Sequence, residues 1–229
     1  MKDYIIGKFI KRYKRFLVDV EINNKQILTA HCTNTGSLKS CLVPNAKVVI
    51  SISNNPKRKT RYTWEMIKIN DSWVGINTNM ANLIAYELLK QNKIPDFENL
   101  SLIKREVKFD KSRFDIYAEK NNEKIFIEVK NVTYKDGDIA RFPDAPTKRG
   151  QKHIEQLLKA LSLGYRVAIF FIIQRLDTKY FAPAWKIDYK YSQMLLEAHK
   201  KGLEIIPIQI KITPQGYNFV KIVDILFEN

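Results

Sequence analysis

The chain is predicted to be α/β in the broad sense and α+β overall, with a small all-β unit over residues 1–78 and an α/β unit over residues 79–229. Three observations predict this. The first 78 residues hold five short runs of alternating apolar and polar side chains, whereas the remainder reads helix, three strands, helix, strand. Charge is also uneven: residues 1–80 carry 14 basic and 5 acidic side chains, leaving 25 and 19 for the other 149 residues.

In the first unit Phe16–Ile22 alternates cleanly, and Ile27–His31, Val48–Ile52, Tyr62–Ile69 and Trp73–Ile76 follow as short strands. Asn23-Asn24, Asn34-Thr35-Gly36-Ser37, Asn54-Asn55-Pro56 and Asn70-Asp71 separate them, because such residues adopt the backbone angles that a reversal needs. Five strands joined by loops of this length suit an OB-like barrel, and a small SH3-like barrel would show the same pattern. Phe16 is expected in the barrel core. OB barrels hold single strands with a basic groove and aromatic platforms, and Lys11–Phe16 and Lys57–Tyr62 supply both. The candidate nucleic-acid contacts of this unit are Arg12, Lys14, Arg15, Lys57, Arg58, Lys59, Arg61 and Tyr62.

The second unit opens with a helix over Asn79–Lys93, its inward residues Met80, Leu83, Ile84 and Leu88, and Pro95 beyond its end. Lys104–Phe109, Ser112–Tyr117 and Ile125–Lys130 follow as strands. Thr147 is the N-cap of a second helix, with Gly150, Ile154, Leu157, Leu158 and Leu161 as its apolar stripe and Gly164 at its end. Arg166–Gln174 is apolar enough for a central strand. Tyr191–Lys201 is a helix closed by Gly202, and Leu203–Ile212 and Tyr217–Leu226 complete the sheet.

Alternation assigns charged groups to faces. In Ser112–Tyr117, Phe114 and Ile116 share one face, setting Asp115 beside Arg113 and Tyr117 on the other. In Ile125–Lys130 the residues Ile125, Ile127 and Val129 point one way, Glu128 and Lys130 the other. Glu106 lies between Lys104 and Lys108. If the strands pair, the carboxylates of Glu106, Asp115 and Glu128 converge with the Lys130 ammonium. Hard divalent cations prefer such oxygens and keep coordination positions open for phosphate. Mg2+ (or Mn2+) on Asp115 and Glu128, with Glu106 as a third ligand, would polarise a phosphodiester and activate water. Lys130 would orient that water or offset developing charge. The same pattern also suits the solvated face of a half-buried sheet. The catalytic candidates are Asp115, Glu128, Lys130 and Glu106, and Arg113, which shares their face, is a candidate nucleic-acid contact. The spacing D-x12-E-x-K resembles the PD-(D/E)xK nuclease superfamily.

Beyond Lys130 the chain runs into Phe142-Pro143-Asp144-Ala145 and a basic helix start, where Lys148, Arg149 and Lys152 join free backbone amides in an anion site. His153 reads as a surface or packed helix histidine, and Glu87 as a surface glutamate.

Arg12–Leu17, His31–Ser37, Lys57–Lys59, Ile76–Thr78, Glu106-Val107, Ser112–Asp115, Glu128–Thr133 and Phe142–Ala145 with Thr147, Arg149, Gly150 and His153 together resemble the sugar fermentation stimulation protein A (SfsA) family over nearly the whole chain. The resemblance implies an N-terminal OB-like barrel, a C-terminal nuclease-like domain, DNA binding and a regulatory link to sugar utilisation. No carboxylate position departs from the family pattern.

Composition points the same way independently. A formal net charge of +15 and a pI near 9.6 favour a polyanionic partner, DNA first, with single strands among the candidate forms. Cys32 and Cys41 lack the further ligands of a zinc site and read as reduced core thiols. Met1-Lys2-Asp3-Tyr4 starts no apolar leader and no run reaches membrane length, so a cytoplasmic protein without membrane association is expected. A homo-oligomer is left open. Two function classes follow: a Mg2+- or Mn2+-dependent nuclease, and a non-catalytic DNA-binding regulator of sugar-utilisation genes.

Overall fold

Short β-branched and aromatic runs, broken by Asn and Gly turns, build the first unit of the computed structural model, which describes residues 3–227. Its strands are β1 (Tyr4–Tyr13), β2 (Leu17–Glu21), β3 (Ile27–His31), β4 (Lys47–Ile52), β5 (Tyr62–Ile69) and β6 (Ser72–Gly75). They hydrogen-bond in the order β3-β2-β1-β4-β5-β6, and a parallel pairing of Ala30–His31 with Tyr62–Thr63 joins β3 to β5. That pairing closes β1 to β5 into a five-stranded barrel. Phe9, Val18, Ala30, Cys32, Ile50 and Trp64 fill it.

Five strands close the barrel, yet their identities correct the expectation. β1 replaces β6 as a barrel member, because β6 pairs with β5 alone as a hairpin extension. Lys8, Lys11 and Arg12 hide the alternation of β1, which is held between β2 and β4 by ladders to both. Phe16 is 46% exposed, and Leu83 is exposed as well. Phe16 stands at the tip of the β1–β2 hairpin, where Lys14 and Arg15 both adopt left-handed backbone angles that lift it off the core. Cys32 and Cys41 are buried free thiols, and burial pushes Cys41 up to about 11. Of the segment Met1-Lys2-Asp3-Tyr4, residues 1 and 2 lie outside the described residues. Among those described, no helix is long and apolar enough to cross a membrane.

The second unit begins at α1 (Thr78–Lys90), whose N-cap Asn77 accepts from the Asn79 amide. Three strands follow, β7 (Leu102–Phe109), β8 (Ser112–Lys120) and β9 (Glu123–Val132), then β10 (Tyr134–Asp136) and β11 (Ile139–Phe142). After them come α2 (Lys148–Ser162), β12 (Arg166–Ile173), β13 (Tyr180–Pro183), α3 (Tyr189–Lys200), β14 (Glu204–Thr213), β15 (Gly216–Ile222) and β16 (Asp224–Ile225).

The main sheet has the order β15-β14-β12-β9-β8-β7. β12 lies at its centre, parallel to both β9 and β14, and is buried on both faces as its apolar run requires. One face packs on α1 through Ile116, Ile127, Phe170 and Ile84; the other packs on α2 and α3 through Phe126, Phe171, Ile154 and Leu195. The inward face of α1 is Ala81, Ile84, Ala85, Leu88 and Leu89. This rotates the helix from the expected stripe and explains the exposure of Leu83. A small sheet, β10-β11-β13-β16, was not anticipated. Its strands are two to four residues long, too short to show a period. The expected strand Tyr217–Leu226 is correspondingly divided between two sheets, since Val223 turns to bond the Pro207 carbonyl.

Candidate active site in the cleft between the two units

Positions 106 and 115 break the simple alternation of their strands. Phe114 packs with Phe109 and Phe126 on the α2 side, whereas Ile116 and Ala118, of the same parity, pack on the α1 side. The expectation that Phe114 and Ile116 share a face is therefore corrected. Glu106, opposite Asp115 in the register, has a left-handed φ of 56°, and β7 changes faces there in the same way. Pairing of β8 with β9 stops at Ile116–Ile127. Beyond that point the Asp115 carboxylate accepts the Val129 amide at 2.8 Å and the Asn82 side-chain amide of α1 at 2.8 Å. Asp115 is thus anchored at a strand fork, where its position is set by hydrogen bonds to two other elements.

Glu128 and Lys130 obey the alternation and face α2. Glu128 is 2% exposed. Its Oε1 accepts from Lys130 Nζ at 2.6 Å and pairs with His153 Nδ1. Arg149 Nε donates to His153 Nε2 at 3.4 Å, which leaves the ring proton on Nδ1, directed at Glu128. His153 and Arg149 are presented by the first turns of α2. Thr147 Oγ1 caps that helix on the Gly150 amide at 3.0 Å, and Asp188 at the N-terminus of α3 accepts the Thr147 amide at 2.8 Å. Gly150 permits the approach: a Cβ there would lie 2.8 Å from the Thr147 methyl and 2.9 Å from the Tyr191 ring.

The electrostatics separate the two carboxylates. Burial pushes Asp115 up, the Glu128 charge adds to this, and together they carry it to about 6 against the Val129 amide, Lys130 and Asn82. Burial also opposes the charge on Glu128, but Lys130 and His153 more than offset it and hold the group below the ordinary glutamate range. The second oxygen of Glu128, Oε2, is buried without a hydrogen-bond partner. Two crowded carboxylates, one of them with an orphaned buried oxygen, fit a divalent cation, which would relieve both the repulsion and the unmet oxygen. Glu106 is directed elsewhere: its half-exposed carboxylate pairs with Arg113 at 3.6 Å. Among the described residues no three His, Cys, Asp or Glu side chains gather closely enough to hold an ion.

These groups line a cleft of about 740 Å³ whose opposite wall belongs to the barrel. Asp144, from the loop after β11, accepts the Leu38 amide at 3.1 Å. Gly36 meets the same carboxylate so closely that a Cβ would fall 2.1 Å from its Oδ1. Burial raises the pKa of Asp144, and the Leu38 amide works against that rise.

Arg12 holds the barrel loop from beneath, donating to the carbonyls of Arg15, Asn34, Gly36 and Ser37. The structure therefore occupies Arg12 with backbone oxygens. Arg15 donates to the Thr35 carbonyl at 2.6 Å and, with Arg113 and Arg149, lines the cleft. Lys148 and Lys152 are exposed on α2, and Lys14, Lys57 and Arg61 are exposed on the barrel. Arg58 and Lys59 flank a second concavity, while Tyr62 packs half-buried against the barrel core.

Of the residues that hold this arrangement together, Asn82 drew no notice in the sequence, while Asp144 and His153 were named there without a contact to the barrel loop or to Glu128. His153 lies one turn after Arg149 on the same helix face, and that i, i+4 spacing is the signal that could have found it. Burial raises the pKa of Tyr217 and the nearby Glu87 charge adds to it, while Glu87 is not among the residues lining the cleft.

The raised Asp115 gives a stability prediction. Its folded pKa, about 6, exceeds the ordinary 3.8, so the folded state binds the extra proton. Stability contributed by this group is complete below about 3.8 and is lost as pH rises to about 6. Asp115→Asn abolishes that loss and retains both hydrogen bonds once the Asn82 amide turns over. The variant is expected to melt a few degrees higher than the native chain at pH 7 in EDTA, roughly 1–2 kcal/mol, with the difference vanishing near pH 4. Equal melting at both pH values would refute the assigned cost.

The chain matches two family models in succession. Residues 10–76 match the SfsA N-terminal OB domain, and residues 79–216 match the sugar fermentation stimulation protein RE domain. A sugar fermentation stimulation protein homolog of Pelagibacter ubique is 44% identical over 227 residues, covering 98% of this chain and 97% of that protein. The homolog of Trichodesmium erythraeum is 42% identical over 228 residues, covering 96% and 90%. A solved structure described as Pyrococcus furiosus SfsA in complex with Ca2+ superposes with a TM-score of 0.91 at 28% identity, covering 99% of this chain and 97% of that one.

Proposed function

Because the chain belongs to the sugar fermentation stimulation protein family, we propose that it is a divalent-metal-dependent nuclease that hydrolyses DNA phosphodiester bonds in the cleft between its OB domain and its α/β domain. One observation carries the reading: Asp115 and Glu128, whose Oε2 is orphaned, line one cleft with Lys130, rimmed by Arg15, Arg113 and Arg149, closely enough that the Glu128 charge raises the Asp115 pKa. Carboxylates aimed at a polyanion repel it unless a cation intervenes. The related Pyrococcus furiosus structure is described as a complex with Ca2+, and Mg2+ and Mn2+ share the preference for carboxylate oxygen. Asp115 and Glu128 would hold the ion, with Glu106 available at the exposed rim.

When bound, such an ion polarises the scissile phosphate and lowers the pKa of an attacking water. The chain's own residues do the rest. Asn82 and the Val129 amide fix the Asp115 carboxylate. Lys130, 2.6 Å from Glu128 Oε1, places a positive charge where phosphorane charge develops and orients water. His153 holds Glu128 in place, and Arg149 offers the unused part of its guanidinium to a phosphate oxygen. The basic loops of the barrel bind the strand on either side of the scissile bond, with Mg2+ or Mn2+ as the working ion.

A DNA-binding regulator without cleavage is the second reading. Its support is that, among the described residues, fewer than three ligand side chains gather at one point.

The test is incubation of labelled single- and double-stranded DNA with the protein, with and without Mg2+ or Mn2+, beside Asp115→Ala. Cleavage by the native chain that requires the ion and disappears in the variant is expected. Equal cleavage in both, or none with either ion, would remove the nuclease reading.

A further inference from the structure

A second concavity, of about 660 Å³, opens on the barrel and adjoins the first, since Thr33 and Asn79 line both. Its lining includes Glu65, a β5 residue only 7% exposed. Ser51 Oγ donates to Glu65 Oε1 at 2.5 Å and Asn77 Nδ2 to Oε2 at 2.8 Å. Both partners are neutral, and among the described residues Glu65 forms no ion pair. A carboxylate has about four acceptor sites, so each oxygen keeps capacity for a further donor. A buried charge with this unused capacity calls for donors from elsewhere. Arg58 and Lys59 stand in the same concavity, supplying cations for a phosphate beside an acceptor pair for a base.

The base that answers a carboxylate with two parallel donors is guanine, through N1–H and the N2 amino group. Thymine offers a single N3–H flanked by two carbonyl oxygens, which a carboxylate repels. Adenine and cytosine each set an acceptor nitrogen beside their amino group. In a duplex the N1–H and N2 edge of guanine is already paired with cytosine, so only an unpaired guanine can present it. We propose that the barrel concavity is a reading site for an unpaired guanine, with Glu65 accepting its Watson–Crick edge and Arg58 and Lys59 holding the adjoining phosphate. The strand then passes Thr33 and Asn79 into the Asp115–Glu128 cleft. That last step rests on the nuclease reading and narrows its substrate to single-stranded DNA with a guanine beside the scissile bond.

The test is equilibrium binding by fluorescence anisotropy in EDTA, where no cleavage contributes. The probes are a thymidine nonamer, the same nonamer with one central guanine, and one with hypoxanthine, which lacks the amino group. The native chain is expected to bind the guanine probe about tenfold more tightly than the all-thymine probe, with hypoxanthine in between. Glu65→Gln should reduce the preference to within about threefold, chiefly by loss of guanine affinity, with the all-thymine probe held somewhat more tightly once the repelling carboxylate is gone. Arg58→Ala with Lys59→Ala should weaken all three probes alike. Equal affinity of the native chain for guanine, hypoxanthine and thymine probes overturns the inference, whether or not Glu65→Gln folds. Full preference retained by a folded Glu65→Gln overturns it too. Base-blind binding leaves the nuclease reading standing, whereas failure to bind any probe removes the single-strand substrate from both.

Discussion

Glu128→Ala is expected to reduce metal-dependent DNA cleavage by about 10²- to 10³-fold or more while leaving DNA affinity unchanged or slightly raised. The side chain does two jobs that alanine cannot. Its Oε2 is the orphaned acceptor that a cation would satisfy, and its Oε1 gathers Lys130 and His153 into one arrangement. Removing it leaves the Lys130 ammonium, whose side chain is 13% exposed, without its ion-pair partner, so the proposed water-orienting group is released along with a proposed metal ligand. Affinity behaves differently because the lost charge is negative and faces a polyanion. Glu128→Gln separates the jobs: it keeps the shape, weakens the grip on a cation and should fall nearly as far. Activity within about tenfold of the native chain in both variants would place the chemistry elsewhere.

Arg175→Leu is expected to cost about 3–5 kcal/mol of stability, a fall in melting temperature on the order of 10 °C, with the fold otherwise native. Arg175 is 1% exposed. Its guanidinium donates to both Asp177 oxygens at 2.7 and 2.8 Å and to the Thr133 carbonyl at 2.5 Å. That carbonyl also accepts from Ser40 Oγ of the barrel at 3.0 Å, so the guanidinium sits where the two units meet. Leucine fills much of the volume but strands Asp177 with Lys135 alone. Although burial opposes the Asp177 charge, Arg175 and Lys135 together hold its pKa below the ordinary carboxylate value. Its contribution is therefore present above that ordinary value and lost as pH falls through the depressed one. The gap between native and variant melting should narrow accordingly in acid. A gap below about 1 kcal/mol at pH 7 would show that the buried network is dispensable.

How much of this could be read from residues alone depended on whether the deciding contacts were local. Glu128 and Lys130 were placed correctly on one face because β9 is a regular central strand, where alternation is enforced by a core on both sides. The surroundings of Asp115, proposed above as a site residue, were misread. Phe114 and Ile116 pack on opposite faces, since β8 leaves β9 at that residue and its side chain bonds Val129 and Asn82 instead. The helices and the central strand β12 were visible from their periods and caps. β1 was not, because its charged residues mask a strand held by partners on both edges. Phe16 was expected in the core, but a strained hairpin tip carries it out. His153, expected on the surface or packed, is packed: the capped start of α2 brings it onto Glu128, a partner 25 positions away that no local signature reveals.

Calorimetric titration of Mn2+ into the native chain and into Asp115→Asn, at neutral pH without nucleic acid, tests most directly the claim that two buried carboxylates hold a divalent ion. Binding of one ion by the native chain and its loss in the variant is the predicted result. No binding by the native chain, or unchanged binding by Asp115→Asn, would contradict it.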